Sequence, residues 1–319
     1  MNAIGKSSVV FVTLSGLFWG GWILGSQTPE GQEAIARAYE AYTEQQASAN
    51  ENLFDTTALR AIVCGDPSIE HSDPKPCLAV IAGGRLFIVD AGSGAASSLM
   101  RHSVPLDRLD AVLLTNAGLT QTTDLSALFA ESTRERDIPL LPVYGPGDTQ
   151  RLVDGLNQAA GLDGYERGLQ AWGPWPEPGR PVIVYEGDGL VVSAFTTRRD
   201  ASTGRVGYRF DYLGRSIVVG GDGQVVTAEA AANADVVLQG AQSERVAQLH
   251  GRSSAAEVAA RAQAANAGLI VLTGADNRVA GQMQVAEARA AGFDDVVAGR
   301  VGMLLELPLA NNDINVRPL

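Results

Sequence analysis

Histidine is scarce in this 319-residue chain: only His71, His102 and His250 occur. They lie too far apart to form the short-spaced imidazole pairs that zinc sites use. Cysteine is scarcer still, with Cys64 and Cys77 alone. Two thiols without a neighbouring histidine make a poor zinc signature. Basic residues are in deficit, 24 Lys+Arg against 36 Asp+Glu, for a net charge of −12. That balance argues against nucleic acid as a partner, because phosphates demand a basic surface. No phosphate-cradling glycine loop is complete: Gly145-x-Gly147 and Gly220-Gly221-x-Gly223 lack the required flanks. After residue 27 there is no apolar run of membrane-spanning length.

What is present begins with a charge-free stretch between Lys6 and Glu30. Ser7 to Gln27 reaches spanning length at ~1.5 Å per helical residue. Trp19 and Trp22 suit an interface. The expectation is a single N-terminal membrane helix over 1–27. The protein would then sit in the inner membrane of a bacterium with its globular part on the periplasmic side. A cleaved signal peptide is the rival reading. Gly16-x-x-x-Gly20 and Gly21-x-x-x-Gly25 provide small-residue faces for helix association, hence a homodimer or another protein partner. Thr28-Pro29-Glu30 opens a second helix with Thr as N-cap and Pro at the first turn. This juxtamembrane helix and its linker fill 28–52.

The globular part is assigned to 53–319. Hydrophobic residues make up 45% of the chain, enough for a large core. Apolar runs predict strands at about 59–64, 78–82, 85–89, 111–114, 140–144, 181–185, 190–195, 205–212, 215–219, 235–238, 269–273 and 302–307. Helical periodicity falls near 94–102, 123–135, 148–160, 254–267 and 279–291. The segment from Gly168 to Pro181 reads as a crossover or lid. Length alone suggests two domains.

Several segments together carry a resemblance. Cys77 to Gly92 reads as paired strands ending in Asp90-Ala91-Gly92. Ala111-Val112-Leu113-Leu114-Thr115 is followed by Asn116-Ala117-Gly118-Leu119-Thr120-Gln121. Leu141 to Pro146, Gly207-Tyr208-Arg209-Phe210-Asp211-Tyr212, Gly220-Gly221-Asp222-Gly223 and Leu269 to Gly274 follow in order. This succession resembles the metallo-β-lactamase superfamily, in its ribonuclease Z and arylsulfatase-like branch. The resemblance implies one α/β domain, a four-layer αββα sandwich, with the N-terminal transmembrane helix in front of it. It also implies a metal loop after the strand that ends at Thr115. At its ligand positions stand Asn116, Gly118, Thr120 and Gln121, with Arg199, Gln239-Gly240, Arg252 and Gly274 at the later ones. Asp222 alone keeps a carboxylate.

Amide, hydroxyl and glycine positions do not bind zinc usefully. The sequence therefore predicts no metal, no cofactor and no catalytic residues at this site. An arginine, Arg199 helped by Arg198, would pair with Asp222 in place of the lost metal charge. The leading functional expectation is an inactive member acting as a membrane-anchored binding or scaffold subunit of an inner-membrane complex. One alternative is a small anionic-ligand binding protein, with Asp66, His71, Arg198, Arg199 and Asp222 around the former cleft. Another is a metal-dependent hydrolase with a remodelled set drawn from Asp66, His71, Asp124 and Asp222. Cys64 and Cys77 flank the first loop and are read either as a disulfide or as two free thiols.

Overall fold

The computed structural model describes residues 28–34, 36–37, 52–65, 76–134, 140–164, 166–174, 176–197, 204–221, 225–250, 252–275 and 277–319, without the side chain of His250. The chain divides into two compact units, Met1–Asn52 and Leu53–Leu319. In the first, residues 29–34 and 36–37 are helical. Thr28 caps them: its hydroxyl accepts from Gly31 N at 3.1 Å and its carbonyl from Gln32 N at 2.9 Å. Among the described residues no helix is long and apolar enough to cross a membrane. Residues 1–27, with the four glycines assigned to helix association, lie outside them.

The second unit is α/β, built on two mixed sheets. In chain order the first sheet takes β1 (Ala58–Val63), β2 (Leu78–Ala82), β3 (Arg85–Val89), β4 (Leu109–Leu113), β5 (Leu140–Tyr144) and β6 (Gly168–Trp172). The second takes β7 (Val182–Gly187), β8 (Leu190–Thr196), β9 (Val206–Tyr212), β10 (Arg215–Val219), β11 (Val236–Gly240), β12 (Leu269–Thr273) and β13 (Val296–Ala298). The chain then returns to the first sheet with β14 (Met303–Pro308) and β15 (Asn315–Pro318). The strand orders are β15-β14-β1-β2-β3-β4-β5-β6 and β13-β12-β11-β10-β9-β8-β7.

Side-chain alternation explains why two faces of each central strand are apolar. In β2, Leu78, Val80 and Ala82 enter the core between the sheets, while Ala79 and Ile81 face a second core. In β3, Phe87 and Val89 point inward and Leu86 and Ile88 outward. Phe87 meets Phe210 edge-on at 6.1 Å and Tyr185 at 5.1 Å, so both sheets share one aromatic cluster. The outward face of the first sheet is covered by α1 (Ala95–Arg101), the short α2 (Leu119–Thr122), α3 (Leu125–Ser132) and α4 (Thr149–Ala160). Leu99, Leu125, Leu128, Phe129 and Val153 supply that cover. After α5 (Glu244–His250), helices α6 (Ala255–Ala264) and α7 (Arg278–Ala290) bear on the second sheet through Val258, Ala262 and Ala288. The start of α6 is fixed by a capping box between Ser254 and Glu257.

Buried arginines close the unit. Arg60, 4% exposed, bonds Glu306 at 2.8 Å and Asp55 at 2.9 Å and donates to Leu53 O. Arg215 pairs with Asp235 at 3.1 Å and donates to carbonyls of Pro308 and Asp313. Each ties the segment that returns from the far end of the chain to the sheets it meets. Cys64 and Cys77 are joined in a disulfide, with Cα atoms 4.9 Å apart.

Candidate functional site

The site forms where β4 runs out between the two sheets. Leu114 N donates to Tyr144 O at 2.7 Å, and the Tyr208 hydroxyl donates to Leu114 O at 2.9 Å. Val206 N donates to Thr115 O at 3.0 Å, so a strand of the second sheet is stitched to the end of the first. Tyr208 is fully buried, and burial pushes its hydroxyl well above its ordinary range. The Asp90 carboxylate adds to that rise. Tyr208 therefore remains a neutral donor.

Asp90 is the hub of this end. Its carboxylate accepts from Thr115 N and from Thr115 Oγ1, both at 2.8 Å, and is 2% exposed. Its own N–H donates to Leu113 O at 2.9 Å. A buried carboxylate needs such donors to offset its desolvation. Across the gap, Gly221 comes so close that a Cβ there would lie 2.7 Å from Thr115 Oγ1. Gly221 also has φ +69, a conformation glycine adopts freely.

The loop that follows is bonded to itself. Asn116 Oδ1 accepts from Gly118 N at 2.8 Å. Thr120 Oγ1 donates to Gln121 Oε1 at 2.6 Å. Gln121 is 3% exposed, and its carbonyl accepts from Ala91 N at 2.6 Å. A Cβ on Gly118 would fall 2.6 Å from Asn116 Oδ1 and 2.9 Å from Gln121 Oε1. Both amide oxygens thus occupy space that a side chain at 118 would need. Asp124 is drawn into the frame, its Oδ2 accepting from Ala96 N at 3.1 Å in the first turn of α1.

On the second sheet, Gln239 is 1% exposed. Its Nε2 donates to Gly221 O at 3.0 Å, and its Oε1 accepts from Val226 N at 3.2 Å. Gly220 leaves the room that Gln239 fills. Gly274, just after β12, has φ +83. Arg252 closes the turn after α5, its N–H donating to Ala247 O. Asp66, His71, Arg198, Arg199 and Asp222 lie outside the described residues, as does the side chain of His250. The Arg199–Asp222 pair therefore has no geometry here.

Sequence reasoning missed the Asp90–Thr115 clamp, the Tyr208 stitch and the Gln239 plug. One signal was present for the last two. A tyrosine and a glutamine inside apolar strands must find partners, because buried polar groups are nearly always bonded.

Zinc, the metal weighed for this loop, requires imidazole, thiolate or carboxylate donors. Positions 116, 118, 120, 121 and 274 offer two amides, one hydroxyl and two glycines. Among the described residues no group of three or more His, Cys, Asp or Glu is placed to hold a metal ion. The residues seen do not fit the group.

The fold is that of the metallo-β-lactamase proteins. The chain is similar to the metallo-beta-lactamase fold protein YhfI of Bacillus subtilis, with a TM-score of 0.62 at 19% identity, covering 78% of this chain and 99% of that one. In sequence the chain is distantly ribonuclease Z-like. It is 28% identical over 167 residues to a ribonuclease Z of Mycolicibacterium gilvum, spanning 50% of this chain but only 58% of that protein. It is 28% identical over 232 residues to a ribonuclease Z of a Mycobacterium species, covering 66% of this chain and 80% of that protein. No family model matches the chain.

Proposed function

We propose that this protein is a metallo-β-lactamase-fold protein that has given up metal-dependent hydrolysis and serves as a membrane-anchored binding or scaffold subunit. The observation that carries this is the loop 116–121. Its amides are bonded within the loop, and the space beside Gly118 is taken by two amide oxygens. Restoring ligands would require more than exchanging side chains. Gly118 would need its neighbours to move, and Gly274 holds a backbone conformation that costs a histidine about 1–3 kcal/mol. The net charge of −12 weighs against RNA as a substrate despite the ribonuclease Z-like sequence.

The anchoring role rests on the charge-free segment 7–27. The Cys64–Cys77 disulfide supports a globular unit on the exported side, where such bonds persist. Helix association through Gly16, Gly20, Gly21 and Gly25 would bring in the partner or a second copy.

The test is the metal content of the full chain, purified in detergent after zinc, manganese and iron supplementation, together with cleavage of a precursor tRNA. Less than about a tenth of an equivalent of each metal and no cleavage are expected, a tenth being far below the full occupancy a catalytic zinc site shows. A stoichiometric metal that disappears in Asp222→Ala would overturn the proposal.

A further inference from the structure

We propose that the outward side of α7 pairs with the same helix of a second copy of this chain, antiparallel across a two-fold axis. A helix on the surface of a globular unit normally turns polar residues outward. α7 carries apolar residues on both sides. Ala288 and the half-buried Val285 face inward, toward α6 and the second sheet. Val279, Met283, Ala286 and Ala290 are exposed. They stand four, three and four residues apart, the spacing of a coiled-coil seam. Val279 is 65% and Met283 54% exposed, so the bulky part of the seam is uncovered. The only charges among the exposed residues of the helix are Arg278 and Arg289, near its two ends.

Size and charge both select a second copy as the occupant. The seam is bulky in its first half and small in its second. An axis crossing between residues 284 and 285 sets Val279 against Ala290 of the second copy and Met283 against Ala286. Large then meets small at every contact, the pattern that lets facing helices interdigitate. The same axis brings Arg278 level with Ala291 of the second copy, just past the end of its α7. There it meets the negative end of the helix dipole and the exposed Asp294 and Asp295. Asp294 lies beside Arg289, whose Nε reaches Asp294 O at 3.4 Å. Each end of the pair thus gathers two arginines and two aspartates. Among the described residues none of these four side chains has an ion-pair partner within its own chain. Two copies of a chain with net charge −12 repel, so a contact between them needs a locally neutral surface such as this. A parallel pairing instead sets Met283 on Met283 and Arg278 beside Arg278, and fits by neither size nor charge. Such a contact uses one patch on both copies, as a closed dimer requires. The helix has 13 residues, so the contact is small and reversible. The inference depends neither on the loop 116–121 nor on the segment 7–27.

The test is sedimentation equilibrium of the full chain in detergent, repeated with Gly16, Gly20, Gly21 and Gly25 all replaced by isoleucine. A reversible monomer–dimer equilibrium that survives the glycine replacements is expected. Ala286→Glu, its fold checked by circular dichroism, should raise the dimer Kd roughly tenfold or more by setting a charge against Met283. Arg278→Asp should weaken the dimer as well, and Arg278→Asp with Asp294→Arg should restore it. Orientation is read by disulfide trapping. A mixture of Met283→Cys and Ala286→Cys proteins should cross-link more than either alone, because only the unlike pair comes within bridging distance. A monomer at every concentration overturns the proposal, as does a dimer lost with the glycines. So do a dimer indifferent to Ala286→Glu, absence of charge rescue, and trapping strongest for one variant alone.

Discussion

The turn at Asp90 and the loop at 116–121 sit side by side and differ in chemistry. Asp90 is an ionisable group buried to 2% exposure and bonded twice to Thr115. The loop beyond Thr115 holds no ionisable side chain until Asp124, and its amides and hydroxyls bond locally. The first region is a frame that sets the end of β4. The second is where the frame would present ligands, and it presents none. The costly buried charge is kept where it shapes the backbone and missing where it would hold a metal. The frame and the loop are thus held by different contacts, so the shape of the one does not depend on ionisable groups in the other.

The largest effect of a substitution is expected at the frame. Asp90→Ala leaves Thr115 N and Oγ1 without their acceptor and should lower stability by about 1–3 kcal/mol for each donor left unsatisfied, read in urea unfolding. A loss under about 1 kcal/mol would mean that Asp90 is not the hub. Next comes the disulfide that bounds the loop beside this turn, where Gly92 N donates to Pro76 O. Cys64→Ser with Cys77→Ser should cost about 3 kcal/mol, the value for a closed loop of roughly this size.

Smaller effects are expected in the loop itself. Gly118→His must displace the Asn116 and Gln121 amides, with a cost of about 1–3 kcal/mol and no gain of bound zinc by elemental mass spectrometry. Uptake of one zinc would show that the loop remains a ligand frame. The smallest effect lies away from both regions. Burial, aided by the Arg101 charge, holds His102 below its ordinary value of 6.5, and its Nδ1 donates to Ser98 O at 3.1 Å. Protonation therefore favours the unfolded chain. This contribution is fully present above about pH 6.5 and is lost as pH falls toward the depressed folded value. His102→Gln should flatten that part of the stability profile without changing its plateau at higher pH.

Much of the fold was legible in the sequence, because central strands buried on two faces are continuous apolar runs. The strands β2 (Leu78–Ala82), β3 (Arg85–Val89) and β12 (Leu269–Thr273) coincide with the runs that predict them. The short or peripheral elements were not legible. β6 (Gly168–Trp172) falls in the segment read as a crossover, and β13 and β15 have three and four residues. Edge strands bury little, so their composition carries little periodicity. Of the site, the absence of imidazole at 116, 118 and 121 was plain from residue types. The bonds that Asn116, Thr120 and Gln121 make instead were not.

The sequence by itself determined the order of most strands and helices, the acidic balance, and the absence of metal-binding side chains at the loop, since each follows from residue type and spacing along the chain. Only the tertiary structure decided that Asp90 clamps Thr115, that Gln239 fills the room left by Gly220, and that β13 ends its sheet. Those contacts join residues 13 to 25 positions apart or strands far separated in sequence. Their energies arise from burial and hydrogen-bond geometry that exist only once the sheets have packed.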